Sequence, residues 1–114
     1  MIVDVGTNSK EAKWYLLIVK FNNMAKIYKT NGEVLDIKPK NGTDFQLEEL
    51  QEIVGGLIDC KMTNDGNDLI IFNDEGKLLG LPYNDKATDI YQKRVYEGDF
   101  LVGDVLICKN NEML

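Results

Sequence analysis

The chain has 114 residues, 44% hydrophobic and 28% charged, the balance of one globular domain long enough to fold on its own core. Nineteen acidic against thirteen basic residues leave a net charge of −6, which repels nucleic-acid phosphates, and the absence of histidine removes imidazole bases and metal ligands. No apolar run approaches the ~20 residues needed to cross a bilayer, and Met1 to Asp4 lacks the pattern of a secretory leader, so the expected location is cytoplasmic, with no membrane partner.

Residues 1–13 read as a loose N-terminal arm or a short edge strand. The run at 14–21 (WYLLIVKF) has the β-branched and aromatic content of a buried strand, and Asn22-Asn23 suits a two-residue turn into a second strand at 24–30. Asn31-Gly32 signals a type I′ hairpin into a third strand at 33–38, ended by Pro39. Two-residue loops at both turns place Leu17 opposite Tyr28 and Tyr28 opposite Leu35. They put Leu17, Val19, Phe21, Met24, Tyr28, Leu35 and Ile37 on the face a helix should cover.

That helix begins at Leu47. Leu47, Leu50, Ile53 and Val54 share one face at helical spacing, Glu48, Glu49, Gln51 and Glu52 share the other, and Gly55-Gly56 stops the run. Ile58, Cys60 and Met62 then alternate with Asp59 and Lys61 as in a half-buried strand. After a turn at 63–67, residues 69–72 are apolar on both faces, as a central strand requires. A hairpin loop at 73–77 with Gly76 left-handed, a return strand at 78–81 and a stop at Pro82 follow. Asn84 caps a second helix from Asp85 to about Tyr96, with Ala87, Ile90, Tyr91 and Val95 as its apolar stripe. The last strand, 101–108, bends at Gly103, and 109–114 is a polar tail. The expected fold is a single α+β domain over 1–114, mainly antiparallel sheet with two helices, in the order βββ-α-βββ-α-β.

One stretch, 73–84 (NDEGKLLGLPYN), offers a site. Asn73, Glu75, Lys77 and Asn84 gather where a hairpin loop meets a helix N-terminus, a setting for an anionic or peptide ligand. The structural alternative is a turn at Asp74-Glu75-Gly76, a strand stop at Pro82 and a cap at Asn84. Elsewhere the chemistry is sparse. Asp99 and Asp104 suit turns better than calcium, which takes six to eight oxygens. Gly98 and Gly103 stand in no phosphate-binding motif, and Ser9, the only serine, has no base beside it. Lys77 at a hairpin tip is too solvated for a nucleophilic amine. Cys60 and Cys108 lie in strand-like segments without metal-ligand spacing and read as buried small hydrophobes. The expectation is therefore no catalytic residue, no metal and no cofactor.

Several pieces taken together resemble a family: Leu47-Glu48-Glu49-Leu50-Gln51 with Ile53-Val54-Gly55-Gly56, Asn73 with Glu75-Gly76-Lys77, Gly80-Leu81-Pro82 with Asn84, and Gly98-Asp99 with Val102-Gly103. Over residues 33–108 the chain is similar to an uncharacterised small domain family of bacteriophages and bacterial mobile elements. It departs from that family at Gln46, where a threonine or serine cap is usual, and in its long N-terminal extension. The resemblance implies no activity; it implies a small accessory protein acting on host proteins. The expected function is a non-catalytic protein-binding module whose partner is another protein, with no direct nucleic-acid contact. Two alternatives stand beside it: a small-ligand-binding protein or enzyme using the 73–84 corner, and, more remotely, an acidic mimic of DNA.

Overall fold

In the computed structural model, which describes residues 25–109, the first hairpin closes through Thr30, Asn31 and Gly32. The Gly32 N–H donates to the Lys29 carbonyl at 3.0 Å, the Lys29 N–H donates to the Glu33 carbonyl at 2.9 Å, and Gly32 has φ +95°. This is a three-residue loop with glycine at the left-handed bulge, where a Cβ would be strained. The single residue beyond the expected two-residue turn corrects the register. Ile27, not Tyr28, faces Leu35 across β1 (Ala25–Tyr28) and β2 (Val34–Ile37). Because strand side chains alternate, a one-residue slip exchanges the faces. Tyr28 therefore packs with the second helix, while Ile27 and Ile37 pack beneath the first.

The remaining elements are α1 (Leu47–Val54), β3 (Ile58–Met62), β4 (Asp68–Asn73), α2 (Asp85–Arg94) and β5 (Val105–Lys109). The strands form one antiparallel sheet in the order β2-β1-β5-β4-β3. The α+β class, the two helices and the antiparallel sheet agree with expectation, within a single compact domain. The expected N-terminal arm at 1–13 and strand at 14–21 lie outside the described residues, as does the expected 109–114 tail except for Lys109, which instead ends β5. Within the sheet, β1 is hydrogen-bonded to β2 on one side and β5 on the other.

β4 and β5 are central, and their near-continuous apolar runs follow from burial on both faces. Leu69, Ile71, Leu106 and Cys108 point to the side of α1; Ile70, Val105 and Ile107 point to the side of α2. α1 enters through Phe45, fully buried just before the Gln46 cap, and is anchored by Leu50 and Val54. Ile53 is only partly buried and Leu47 is 53% exposed, so the buried stripe is narrower than the helical spacing suggests. Glu49, expected on the solvent face, is buried. Its carboxylate accepts from the Lys40 N–H at 2.9 Å and the Gln46 N–H at 3.2 Å, pinning the loop before the helix. Gly55 ends α1 in the left-handed conformation.

The expected return strand at 78–81 is absent: residues 74–80 form consecutive turns. The Leu79 N–H donates to the Glu75 carbonyl at 2.9 Å and the Leu81 N–H to the Gly76 carbonyl at 3.0 Å, which curls the segment too tightly for strand pairing. Gly76 is not left-handed; it is buried, and a Cβ there would lie 2.9 Å from Val102 Cγ2. The left-handed glycine in this segment is Gly80. Gly103, at φ +74°, breaks the expected strand at 101–108, so β5 begins at Val105. A Cβ on Gly103 would lie 2.8 Å from Leu81 Cδ1. Gly103→Ala thus meets both a strained backbone and a crowded side chain. It is expected to cost about 2–4 kcal/mol in urea unfolding, and a loss below about 1 kcal/mol would contradict this packing.

Candidate functional site

The 73–84 stretch divides its four candidate residues between the interior and the surface. Asn73 ends β4 and is buried: its Nδ2 donates to the Val54 carbonyl at 3.2 Å, and its Oδ1 accepts from the Glu75 N–H at 2.8 Å. Asn84 is 0% exposed. Its Oδ1 accepts from the Ala87 N–H at 3.0 Å, and its Nδ2 donates to the Tyr28 carbonyl at 2.7 Å and the Gly103 carbonyl at 2.8 Å. Both amides are spent on the fold. Glu75 and Lys77 are exposed and lie on different grooves, one on each side of the 74–80 loop. The Glu75 groove, about 290 Å³, runs past Gly55, Leu57 and Leu79.

The Lys77 groove, about 300 Å³, is the more elaborate. Its floor is the β3–β4 edge of the sheet: strand alternation sends Asp59 and Lys61 to the same face as their partners Phe72 and Ile70. Tyr91 of α2 forms one wall, Asp99 to Val102 another, and Asp74, Lys77 and Leu78 close the rim. Tyr91 meets Phe72 edge to face, with ring centroids 6.4 Å apart. Lys77 pairs with the Asp99 carboxylate and sits over the Phe100 ring, its Nζ 4.2 Å from the centroid. This ammonium, helped by the Phe100 N–H, holds the Asp99 carboxyl below the usual carboxylate range. Burial raises the Tyr91 phenol, and the charges of Asp99 and Asp59 push the same way.

Of the groove's lining, sequence reading singled out Asn73 and Lys77 as site residues; it took Tyr91 as core and Asp99 as a turn. Asp59, Lys61, Phe72 and Phe100 come together only through pairing of β3 with β4 and packing of the 99–102 segment. The alternation of Asp59 and Lys61 was the one local signal for them. Cys60, half-buried, and Cys108, buried, are thiols and not a disulfide; burial raises the Cys60 thiol. Among the described residues no cluster of three or more Cys, Asp or Glu side chains is arranged to hold a metal ion, and no helix is long and apolar enough to cross a membrane.

These features define a small α+β domain built on one antiparallel sheet, helix on each face, with a lined groove at the β3 edge. The chain belongs to a domain family of unknown function, DUF3846, whose model matches residues 26–113, extending past both ends of the expected 33–108. No curated protein and no solved structure matches it.

Proposed function

We propose that this chain is a non-catalytic protein-binding module, an accessory protein of the kind carried by phages and mobile elements, which docks a basic protein partner through its 74–80 loop. The observation that carries this reading is a pair of leucines held outward on a hydrogen-bonded turn: Leu78 is 89% exposed and Leu79 60%. Leu57, Tyr83 and Phe100, exposed as well, extend the apolar character of this end of the domain, and the Tyr83 and Phe100 rings support each other at 5.7 Å. Apolar side chains gathered at one end and rimmed by charge mark interaction surfaces, and a loop already folded gives up little entropy on binding. The partner's basic character is supported by the net charge of −6 and by the three carboxylates lining the adjoining groove. A small-ligand site built from Asn73, Glu75, Lys77 and Asn84 has less support, because the two amides are already engaged.

Capture experiments with Leu78→Asp and Leu79→Asp test the reading. Surface substitutions of this kind change stability by no more than about 0.5 kcal/mol, so both variants are expected to melt like the parent. Each should lose a captured protein that binds the parent chain directly and saturably in calorimetry. Undiminished binding by both variants would remove the loop from the interface.

A further inference from the structure

We propose that the groove between β3, α2 and the 99–102 segment receives an organic cation, the guanidinium or ammonium group of an arginine or lysine side chain on the docked partner. The assignment deepens the docking reading and rests on it. Its first observation is an orphan. Tyr91 is 4% exposed and lines the groove, yet its hydroxyl has no hydrogen-bond partner among the described residues. In a residue this buried, a hydroxyl without a protein partner is uncommon, and its place on the groove wall points to a group delivered from outside. The second observation is the surplus of acceptors around it. Asp59 and Asp74 have no ion-pair partner among the described residues, and the Asp59 carboxylate accepts only the neighbouring Cys60 N–H, at 2.7 Å.

The groove also displays the chemistry it would offer a visitor. Lys77 of the chain itself rests between a carboxylate, Asp99, and the face of Phe100. A second cation placed deeper would find Asp59 in place of Asp99, the Phe72 and Tyr91 rings, and a phenolic oxygen to accept one of its N–H donors. An anion is disfavoured: with Lys77 and Asp99 paired to each other, Lys61 is the one ammonium on the lining without an ion pair among the described residues, against two such carboxylates, Asp59 and Asp74. A metal ion is disfavoured too, since no three carboxylates or thiols among the described residues are arranged to hold one. A cavity of about 300 Å³ accommodates the end of one long side chain.

Amide-resolved NMR titration of the full chain tests the assignment with N-acetyl-arginine methylamide, N-acetyl-lysine methylamide, agmatine, N-acetyl-glutamate methylamide and inorganic phosphate as probes. The expected result is saturable shifts from the arginine or lysine probe, centred on Asp59 to Lys61, Tyr91 and Asp99 to Leu101. Tyr91→Phe keeps the ring packing and should weaken that probe about three- to tenfold, the worth of one hydrogen bond. Asp59→Asn should weaken it by a similar factor with melting unchanged, whereas Tyr91→Phe, which deletes the unsatisfied hydroxyl, should melt at or above the parent. Binding of agmatine well above both methylamides would make the site one for a free small amine and overturn the partner assignment. Preferential binding of the glutamate probe or phosphate, or cation shifts insensitive to Tyr91→Phe, would overturn the site itself. The two proposals fail separately: a bound arginine probe with capture unaffected by Leu78→Asp rejects the loop, whereas capture lost in Leu78→Asp with no probe bound rejects the groove.

Discussion

Phe45→Ala is expected to remove about 3–5 kcal/mol of unfolding free energy, the range for deleting a buried aromatic side chain from a core. Phe45 is 0% exposed and stands at the position before the Gln46 cap; Leu50, four residues past that cap and 1% exposed, belongs to the same cluster. Hydrophobic residues at these two positions fix the angle at which the chain enters a helix. Removing the ring opens a cavity under α1 and loosens the loop that Glu49 ties through the Lys40 and Gln46 N–H groups. A loss of this size is a large share of a typical domain's stability, so Phe45→Leu, expected to lose roughly half as much, provides a measurable companion. Leu47→Ala, on the exposed side of the same helix, should cost less than about 1 kcal/mol. Urea unfolding decides it, and equal losses at positions 45 and 47 would contradict the packing.

The fold was legible wherever local chemistry and burial agree. The strand around Cys60, the doubly apolar run at 69–72, the glycine stop at Gly55 and the Asn84 cap each carry their own physical cause, although Met62, expected on the covered face, is 51% exposed. Legibility failed where one residue decides between two geometries. Asn31-Gly32 accommodates either a two-residue or a three-residue loop, and the choice moved Tyr28 to the other face of the sheet. The segment after Gly76 failed for a different reason. Its leucines suggest a strand, but the backbone is held in turns by its own carbonyls, and Leu81 is fitted against Gly76 and Gly103. That fit joins residues far apart in the chain and leaves no periodic trace.

The groove was less legible than the fold. Its walls come from β3, β4, α2 and two loops, and only the pairing of Asp59 with Phe72 and the packing of Tyr91 on that ring make them one surface. In the sequence, Tyr91 is one more apolar position on a helical stripe. Its hydroxyl becomes informative only once the fold shows it without a hydrogen-bond partner among the described residues. Asn73 and Asn84 show the converse: polar residues beside turn signals read as ligand groups until their amides are seen bonded to the backbone.

Asn84 separates a simple helix cap from a three-way clamp. As a cap, its Oδ1 accepts the Ala87 N–H; as a clamp, its Nδ2 also holds the last carbonyl of β1 at Tyr28 and the carbonyl of Gly103 just before β5. Asn84→Ala removes all three bonds. Loss of the cap costs about 0.5–2 kcal/mol, and buried groups left without partners cost about 1–3 kcal/mol more, so a total of about 1.5–5 kcal/mol is expected from these two terms. Asn84→Asp makes the distinction. Aspartate caps helices as well as asparagine does, so a mere cap would tolerate it. In the clamp, a carboxylate would replace the amide donor and face two carbonyl oxygens inside the protein, leaving both unpaired. Asn84→Asp is therefore expected to cost at least as much as Asn84→Ala at neutral pH, measured by urea unfolding, with amide exchange at Ala87 reporting whether the cap itself survives. An aspartate variant as stable as the parent would reduce Asn84 to a cap and leave the junction of β1, α2 and β5 to be held by packing alone.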